Sequence, residues 1–283
     1  MRSPSRRRGQ DGPCGMSLDK TTAARRRHLV ALHGWGFNSA VWEEMGGQLR
    51  DGGVGFSAVD LPGFGGRPML AGEYTLARLA DAVAGTMAES GPVPCVLMGW
   101  SLGGLVALAV AHRYPERVEA LVMVAAAPRF TEAGDWPHGV APSVLDAFSE
   151  TLAEDTKAAL ARFLVLQAGR TESGRATVKK LRPLLFRHGV PGRAALEQGL
   201  ALLRETDSRP LLREIRCPVL FILGERDNLL SSGAAMDLRR LCPGCRVEVI
   251  AGCAHAPFIS HPVAFRRVLA SFLDSAGSAS PSR

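Results

Sequence analysis

The sequence of 283 residues contains no long apolar run. A membrane-spanning helix needs about 20 apolar residues in a row, whereas the longest runs here are strand-length pieces such as residues 118–128. The basic N-terminal segment also has no apolar stretch of the kind that a secretory signal requires. These two absences exclude a spanning helix and a secretory signal, and we expect a cytoplasmic protein.

Outside the N-terminal segment, basic charge is not concentrated as it is on a nucleic-acid-binding surface. The net charge is +7, but much of the excess lies before the first predicted strand, at Arg2, Arg6, Arg7, Arg8, Arg25, Arg26 and Arg27. We interpret residues 1–27 as a disordered basic leader, solvated or produced by an upstream start with the true start at Met16. The alternatives are a phosphate-binding, addressing or nucleic-acid-binding arm. We expect no nucleic-acid partner and no membrane partner.

The six cysteines do not form a recognisable disulfide or metal-binding pattern. Cys95 and Cys217 begin apolar runs, where small buried thiols are common. Cys242 and Cys245 match a CxxC pair, but no second pair and no nearby histidine set accompany them. We therefore expect a reducing compartment, an incidental loop pair, no metal and no cofactor.

Short apolar runs recur along the chain, and each is followed by Gly, Pro or Asp and then by a helix-like stretch. The runs lie at residues 28–32, 55–59, 95–98, 120–125, 219–223 and 246–250. Alternation of buried strands with helices is typical of a parallel sheet, because each parallel connection must cross a face of the sheet. The fold class is therefore α/β, with a mostly parallel central sheet, helices on both faces, and a core at residues 28–128 and 209–274.

The strand pattern stops between the two parts of this core. Residues 129–208 contain helical spacing at 142–169, 175–188 and 193–204 and no strand candidate. Apolar residues at spacings of three and four form a stripe there, at Phe148, Leu152, Leu160, Phe163, Leu164 and Leu166. We predict a helical insertion that covers a pocket as a lid; simple packing onto the core is the alternative. Residues 275–283 are predicted to be a flexible tail.

A GxSxG motif at residues 99–103 carries the strongest chemical signal. It directly follows the apolar run 95–98 and directly precedes the helix-like residues 105–112. A serine on a tight strand-to-helix turn exposes its hydroxyl, and the flanking glycines allow strand and helix to approach. Ser101 is therefore the candidate nucleophile, and a glycine-rich turn with an idle serine is the alternative.

An acid and a base for Ser101 are expected later in the chain, each on a loop after a strand. His255 follows the run 246–250 through Gly252 and is the candidate base. Asp227 follows the run 219–223 and precedes His255 by 28 residues. It is the candidate acid that orients the imidazole, and Glu225 is its rival.

Hydrolysis also requires hydrogen-bond donors for the oxygen that becomes negatively charged. The sequence His33-Gly34-Trp35-Gly36 follows the first strand and can turn a backbone N–H toward the serine. We predict that the backbone N–H groups of Trp35 and Leu102 form the oxyanion hole and that His33 shapes the loop. The Trp35 ring is expected to line the acyl pocket.

With these residues assembled, the chain resembles the α/β-hydrolase superfamily, and within it the carboxylesterases of biotin synthesis. The resemblance covers residues 28–272. It includes DLPGFG at 60–65 and GWSLGGLV at 99–106, which many such hydrolases share, and RFLVLQ at 162–167 and AHAPFISHP at 254–262, which are more particular. Departures occur at 126–128 and 169–175, and the usual first short strand is not evident.

The resemblance implies a four-helix lid, a catalytic triad of Ser101, Asp227 and His255, and a substrate held on an acyl-carrier protein. The implied substrate-binding residues are Trp35, Ser101, Leu102, Phe163, Leu164, Val165, Leu166, Gln167 and His255. The implied docking residues for the acidic carrier are Arg162, Arg170, Arg175 and Lys179; a merely solvated basic face is the alternative.

The expected function is that of a serine carboxylesterase. It would release methanol from the methyl ester of pimeloyl-[acyl-carrier protein] through an acyl-enzyme, with no cofactor, and it would act as a monomer. A short-chain esterase or another hydrolase of the same fold is the alternative within enzymes. A non-catalytic binding module is the alternative outside them, and such modules usually lack one member of the triad.

Overall fold

A single parallel sheet organises the chain. The computed structural model describes residues 27–278, and its six-stranded sheet has the order β2-β1-β3-β4-β5-β6, with every neighbouring pair parallel. The strands are β1 His28–Leu32, β2 Gly55–Val59, β3 Cys95–Trp100, β4 Val118–Val124, β5 Val219–Gly224 and β6 Arg246–Ile250. Each coincides with a predicted apolar run to within two residues. The prediction of an α/β fold with a parallel sheet is confirmed.

Helices cover both faces of this sheet. They are α1 Glu43–Asp51, α2 Leu76–Ser90, α3 Leu102–Arg113, α8 Arg209–Arg213, α9 Ala234–Leu241, α10 Pro257–Ser260 and α11 Pro262–Ser278. Helices α2, α3, α8 and α9 contribute to one buried apolar cluster, and α1, α10 and α11 contribute to a second. Strands β3 and β5 are consequently buried along their whole length, which explains why they read as continuous apolar runs.

Four helices lie between β4 and β5: α4 Pro142–Glu154, α5 Thr156–Ala168, α6 Glu172–Leu185 and α7 Arg193–Glu205. Helix α6 starts three residues before the predicted segment, because Thr171 caps it by accepting a hydrogen bond from the Gly174 N–H at 3.0 Å. The two connections to the core run side by side, with the Ser208 N–H bonded to the Pro128 carbonyl at 2.8 Å. We call residues 129–208 the insertion.

Both ends of the fold extend beyond the predicted boundaries. Arg27, assigned above to the leader, forms an ion pair with Glu119 at 3.1 Å, and its carbonyl accepts the Gly55 N–H at 2.9 Å. Helix α11 continues through residues 275–278 of the predicted tail, and Ala276 packs against the second cluster. The remaining leader and tail predictions fall on residues 1–26 and 279–283, outside the described residues. Between residues 27 and 278 no helix is both long and apolar enough to cross a membrane.

Candidate active site

Ser101 lies on a strained turn between β3 and α3. Its backbone has φ 55° and ψ −121°, a conformation that residues with a side chain rarely adopt. The turn is possible because its neighbours are small. A Cβ added at Gly99 would lie 2.2 Å from the Gly103 carbonyl oxygen. A Cβ added at Gly103 would lie 2.4 Å from the His33 carbonyl oxygen. The sequence therefore folds locally so that the serine projects from the end of β3.

Gly99→Ala is expected to lower the free energy of unfolding by roughly 1–3 kcal/mol, the usual cost of forcing extra atoms into a packed site. The new methyl group would meet backbone atoms of Gly103, which cannot rotate away as a side chain can. Urea unfolding of this variant and of Gly47→Ala, where an added Cβ meets nothing within 4 Å, provides the comparison. Equal midpoints for the two variants would contradict the close approach of β3 and α3.

His255 and Asp227 form a buried hydrogen-bonded pair. His255 Nδ1 lies 2.7 Å from Asp227 Oδ2, and the two side chains are 0% and 1% exposed. The other carboxylate oxygen, Oδ1, accepts the N–H groups of Leu229 at 2.8 Å and Leu230 at 3.2 Å. These bonds leave the carboxylate little freedom to rotate. Asp227 therefore holds the imidazole with Nδ1 toward the acid and Nε2 facing away from it.

The backbone of His255 is fixed from two sides. Its carbonyl accepts the Trp100 indole N–H at 2.7 Å, and its own N–H donates to the Gln167 carbonyl at 3.2 Å. His255 Nε2 is buried and makes no hydrogen bond within the described chain, so the link from Nε2 to the Ser101 hydroxyl is not formed in this structure. Such links are often long before substrate binds.

Glu225, the rival acid, lies elsewhere. It is exposed, and its carboxylate accepts the Gly252 N–H at 2.8 Å. This bond joins the loop after β5 to the turn after β6. The structure thus brings Asp227, rather than Glu225, to His255.

The His33–Gly36 loop packs against the serine turn. An added Cβ at Gly34 would lie 3.2 Å from the Ser101 Cβ, so glycine allows this close approach without displacing the serine. His33 Nε2 accepts the Leu61 N–H at 3.0 Å, and Nδ1 lies 2.8 Å from the Gly34 carbonyl oxygen. Nδ1 therefore carries the proton. Burial lowers the pKa of His33, which keeps the ring neutral and able to hold the loop.

Leu102 is the first residue of α3, a position whose N–H has no acceptor within the helix. The His33–Gly36 loop and the start of α3 both lie against Ser101, where the predicted oxyanion hole requires them. The arrangement is suited to stabilising an oxyanion.

A match to a family model identifies the fold family. Residues 27–262 match the model described as the alpha/beta hydrolase fold. The pimeloyl-[acyl-carrier protein] methyl ester esterase of Aeromonas hydrophila is 42% identical over 260 residues, which cover 91% of this chain and 100% of that protein. The protein of the same name from Sodalis glossinidius is 41% identical over 89% of this chain and 96% of its own. The chain is an α/β hydrolase of this esterase family.

Solved structures agree on the fold of this hydrolase. An esterase from Exiguobacterium antarcticum superposes with a TM-score of 0.79 at 24% identity, covering 88% of this chain and 92% of its own. The enol-lactonase from Burkholderia xenovorans LB400 gives 0.75 at 20% identity, covering 88% and 91%. At these identities the likeness supports the α/β-hydrolase fold and nothing finer.

The residues predicted to line the acyl pocket do not all lie together. The Phe163 ring packs edge-on against Trp35, with centroids 4.8 Å apart. Trp35 and Phe163 belong to the first apolar cluster, the one that contains α2 and α3, and Leu166 is half-buried against it. Leu164 instead packs in the second cluster, with α10 and α11. Val165 is 47% exposed and lies apart from the others, because consecutive residues of a helix point about 100° apart. Sequence resemblance alone could not separate these orientations.

Gln167, the last of the predicted pocket residues, is buried, and its Nε2 makes no hydrogen bond within the described chain. Its backbone carbonyl is the acceptor for the His255 N–H. The backbone of Gln167 therefore lies next to that of His255, and its buried side-chain amide offers donors that no described residue accepts.

The insertion closes the site of this hydrolase. Ser101 is only 2% exposed. Helix α7 binds Trp35 through its indole N–H, which donates to the Leu196 carbonyl at 2.8 Å, and an added Cβ at Gly199 would lie 2.8 Å from the same ring. Helix α5 lies so close to the His33–Gly36 loop that a Cβ added at Gly36 would lie 2.5 Å from the Leu160 side chain. These contacts agree with the predicted lid, which stays a prediction.

Two residues that shape the candidate site were not predicted from the sequence. Trp100 occupies the second position of the GxSxG motif, which places no demand on residue type, so nothing marked it as the residue that holds His255. Gly199 allows α7 to approach Trp35. A glycine inside an amphipathic helix was the available signal, since it normally costs helix stability and calls for a packing reason.

The insertion also carries basic side chains with no acidic partner. Arg162, Arg170, Arg175 and Lys179 are all exposed, and none forms an ion pair with any residue from 27 to 278. The Arg162 guanidinium lies 5.6 Å from the centre of the Phe148 ring and donates to Thr151 Oγ1 at 3.3 Å. Their charge is thus available to an acidic partner.

Proposed function

We propose that this hydrolase cleaves the methyl ester of pimeloyl-[acyl-carrier protein], yielding methanol and the free carboxylate during biotin synthesis. Membership of the esterase family makes the chain a carboxylesterase. The observation that carries the proposal is the buried His255–Asp227 pair beside a strained serine turn, in a chain that spans the full length of a relative with this name.

The proposed reaction begins at Ser101. Its Oγ attacks the ester carbonyl carbon while His255 Nε2 takes the hydroxyl proton, and Asp227 stabilises the imidazolium that forms. The carbonyl oxygen becomes negatively charged and is held by the backbone N–H groups of Trp35 and Leu102. No cofactor or metal takes part in these steps.

Collapse of this intermediate expels methoxide, which receives the proton from His255 and leaves as methanol. The acyl group remains on Ser101 as an ester. Water then attacks that ester with His255 again accepting a proton, and a second collapse returns Ser101 and releases the pimeloyl carboxylate. Trp35, Phe163, Leu166 and Gln167 are proposed to contact the acyl chain, whereas the exposure of Val165 argues against its inclusion.

The proposed partner is the acyl-carrier protein that bears the ester. Carrier proteins of this kind are acidic, and complementary charge speeds and orients docking. The unpaired basic residues of the insertion, Arg162, Arg170, Arg175 and Lys179, are proposed as the docking surface. Because Ser101, Asp227 and His255 belong to the same chain, one chain is proposed to be sufficient for catalysis. The protein is proposed to act as a monomer in the cytoplasm.

The double variant Arg162→Glu/Arg175→Glu is expected to lower kcat/KM for the carrier-bound ester by roughly 10- to 100-fold, because rim charges chiefly set the rate of encounter. The same variant should hydrolyse p-nitrophenyl acetate within about twofold of the wild type, since that ester needs no docking. Equal losses on both substrates would contradict the docking role. Arg213→Glu/Arg267→Glu, at exposed arginines outside the insertion, is the matched charge control.

The substrate itself is tested with pimeloyl-[acyl-carrier protein] methyl ester in a direct assay of methanol release. Complementation of a biotin auxotroph that lacks this esterase is the matching genetic test. Turnover of p-nitrophenyl acetate without turnover of the carrier-bound ester, and without complementation, would instead support a general short-chain esterase.

A further inference from the structure

The C-terminal end of helix α5 is bound by the two loops that carry the acid and the base. The last four carbonyls of a helix have no partner within it. The Leu166 carbonyl accepts the Asn228 side-chain N–H at 3.0 Å, and the Gln167 carbonyl accepts the His255 backbone N–H at 3.2 Å. Two of the last four carbonyls of this helix are thus satisfied by the candidate catalytic loops.

Asn228 directly follows Asp227 in a turn that Asp227 itself closes. Asp227 Oδ1 accepts the N–H groups of Leu229 and Leu230, so Asn228 lies inside the loop that this carboxylate bridges. The side chain of Asn228 points out of that loop to the C-terminal end of α5, where its amide binds the Leu166 carbonyl and Gly169 follows the helix with a φ of 74°. The turn that orients the candidate acid is thus tied to the end of α5.

We infer that Asn228 is a positioning residue that couples the seating of α5 to the geometry of the Asp227–His255 pair. With α5 seated, both loops are held by its carbonyls and the pair keeps its alignment. When the insertion moves to admit substrate, both bonds break together, and the pair regains its full alignment only when α5 returns. The inference rests on the proposed catalytic roles of Asp227 and His255.

Asn228→Ala tests the coupling in the full-length protein. We expect kcat for p-nitrophenyl acetate to fall roughly three- to tenfold, within the range that one net hydrogen bond supports, while KM changes by less than about twofold. Amide hydrogen exchange of residues 156–168 should become faster at the same time. Asn228→Gln keeps a donor that can reach the same carbonyl, and it should restore at least half of the lost kcat and of the protection.

Arg187→Ala is the matched control, because Arg187 forms an ion pair between the insertion and Glu43 at 2.8 Å, far along the chain from both catalytic loops. It should leave kcat unchanged. Faster exchange in Asn228→Ala with an unchanged kcat would show a purely structural contact and overturn the inference. A lower kcat with unchanged amide exchange of residues 156–168 would also overturn it. The same conclusion would follow if Asn228→Gln had a kcat as low as that of Asn228→Ala, or if Arg187→Ala lost as much kcat. Failure of the proposed function looks different: the wild type would not hydrolyse the ester, or Ser101→Ala would retain activity.

Discussion

Ser101→Ala is expected to reduce kcat/KM for p-nitrophenyl acetate and for the carrier-bound ester by on the order of 10⁴-fold or more. The acyl-enzyme needs the serine oxygen, and the groups around it act as a unit, so removing the nucleophile leaves only the residual effect of the oxyanion donors and of binding. Steady-state kinetics on purified protein, with active-site titration to exclude contaminating esterase, provide the measurement.

The same substitution should preserve the fold. Ser101 has a positive φ, and alanine differs from it only by the hydroxyl, so the backbone strain is almost unchanged. Circular dichroism and a thermal midpoint close to that of the wild type are therefore expected. A folded Ser101→Ala protein with ordinary turnover would refute the role of Ser101, as would a wild-type protein that a covalent serine reagent fails to label.

Asp227→Asn is expected to lower kcat on the order of 10⁴-fold, as loss of the acid does in enzymes with this constellation. The asparagine can keep an acceptor for the N–H groups of Leu229 and Leu230, so the turn should survive. Its amide would then face His255 Nδ1 as a donor. The ring would carry its proton on Nε2 instead, where it can no longer accept the proton of Ser101.

Glu225→Gln is the matched control for this substitution, because Glu225 was the rival acid and lies on the same loop. Its oxygen accepts the Gly252 N–H, a bond that an amide oxygen can also accept. Activity within about threefold of the wild type is expected. A larger loss in Glu225→Gln than in Asp227→Asn would reverse the assignment of the acid.

Most of the fold was accessible from local pattern. Six apolar runs predicted six strands, and the signal was strongest for β3 and β5, which are covered on both faces and read as continuous apolar sequence. The helical insertion followed from a 3.6-residue period and the lack of strand candidates. Errors occurred at the boundaries of elements. Helix α6 starts early at the Thr171 cap, and α11 continues to Ser278 with Ala276 packed against the second cluster.

The geometry of the candidate site was accessible only in part. Order and spacing indicated Ser101, Asp227 and His255, since motifs on loops after strands meet at one edge of a parallel sheet. Orientation around helix α5 was not resolved by the sequence: Val165 is exposed, whereas Phe163 and Leu164 are buried. Trp100 and Asn228 were not anticipated at all, because a hydrogen bond to a distant backbone carbonyl leaves no mark on local residue pattern.

The sequence by itself determined the class of fold, the strained serine turn and the short list of residues able to do the chemistry. These depend on periodicity, glycine placement and residue type, all of which are local. Only the tertiary structure decided that Asp227 pairs with His255, 28 residues further along the chain. The same holds for the bond from the Trp100 indole to the His255 carbonyl, 155 residues away, and for the bond from the Trp35 indole to α7, 161 residues away. Such contacts arise from how elements pack, and packing selects one arrangement among many that the same local pattern allows.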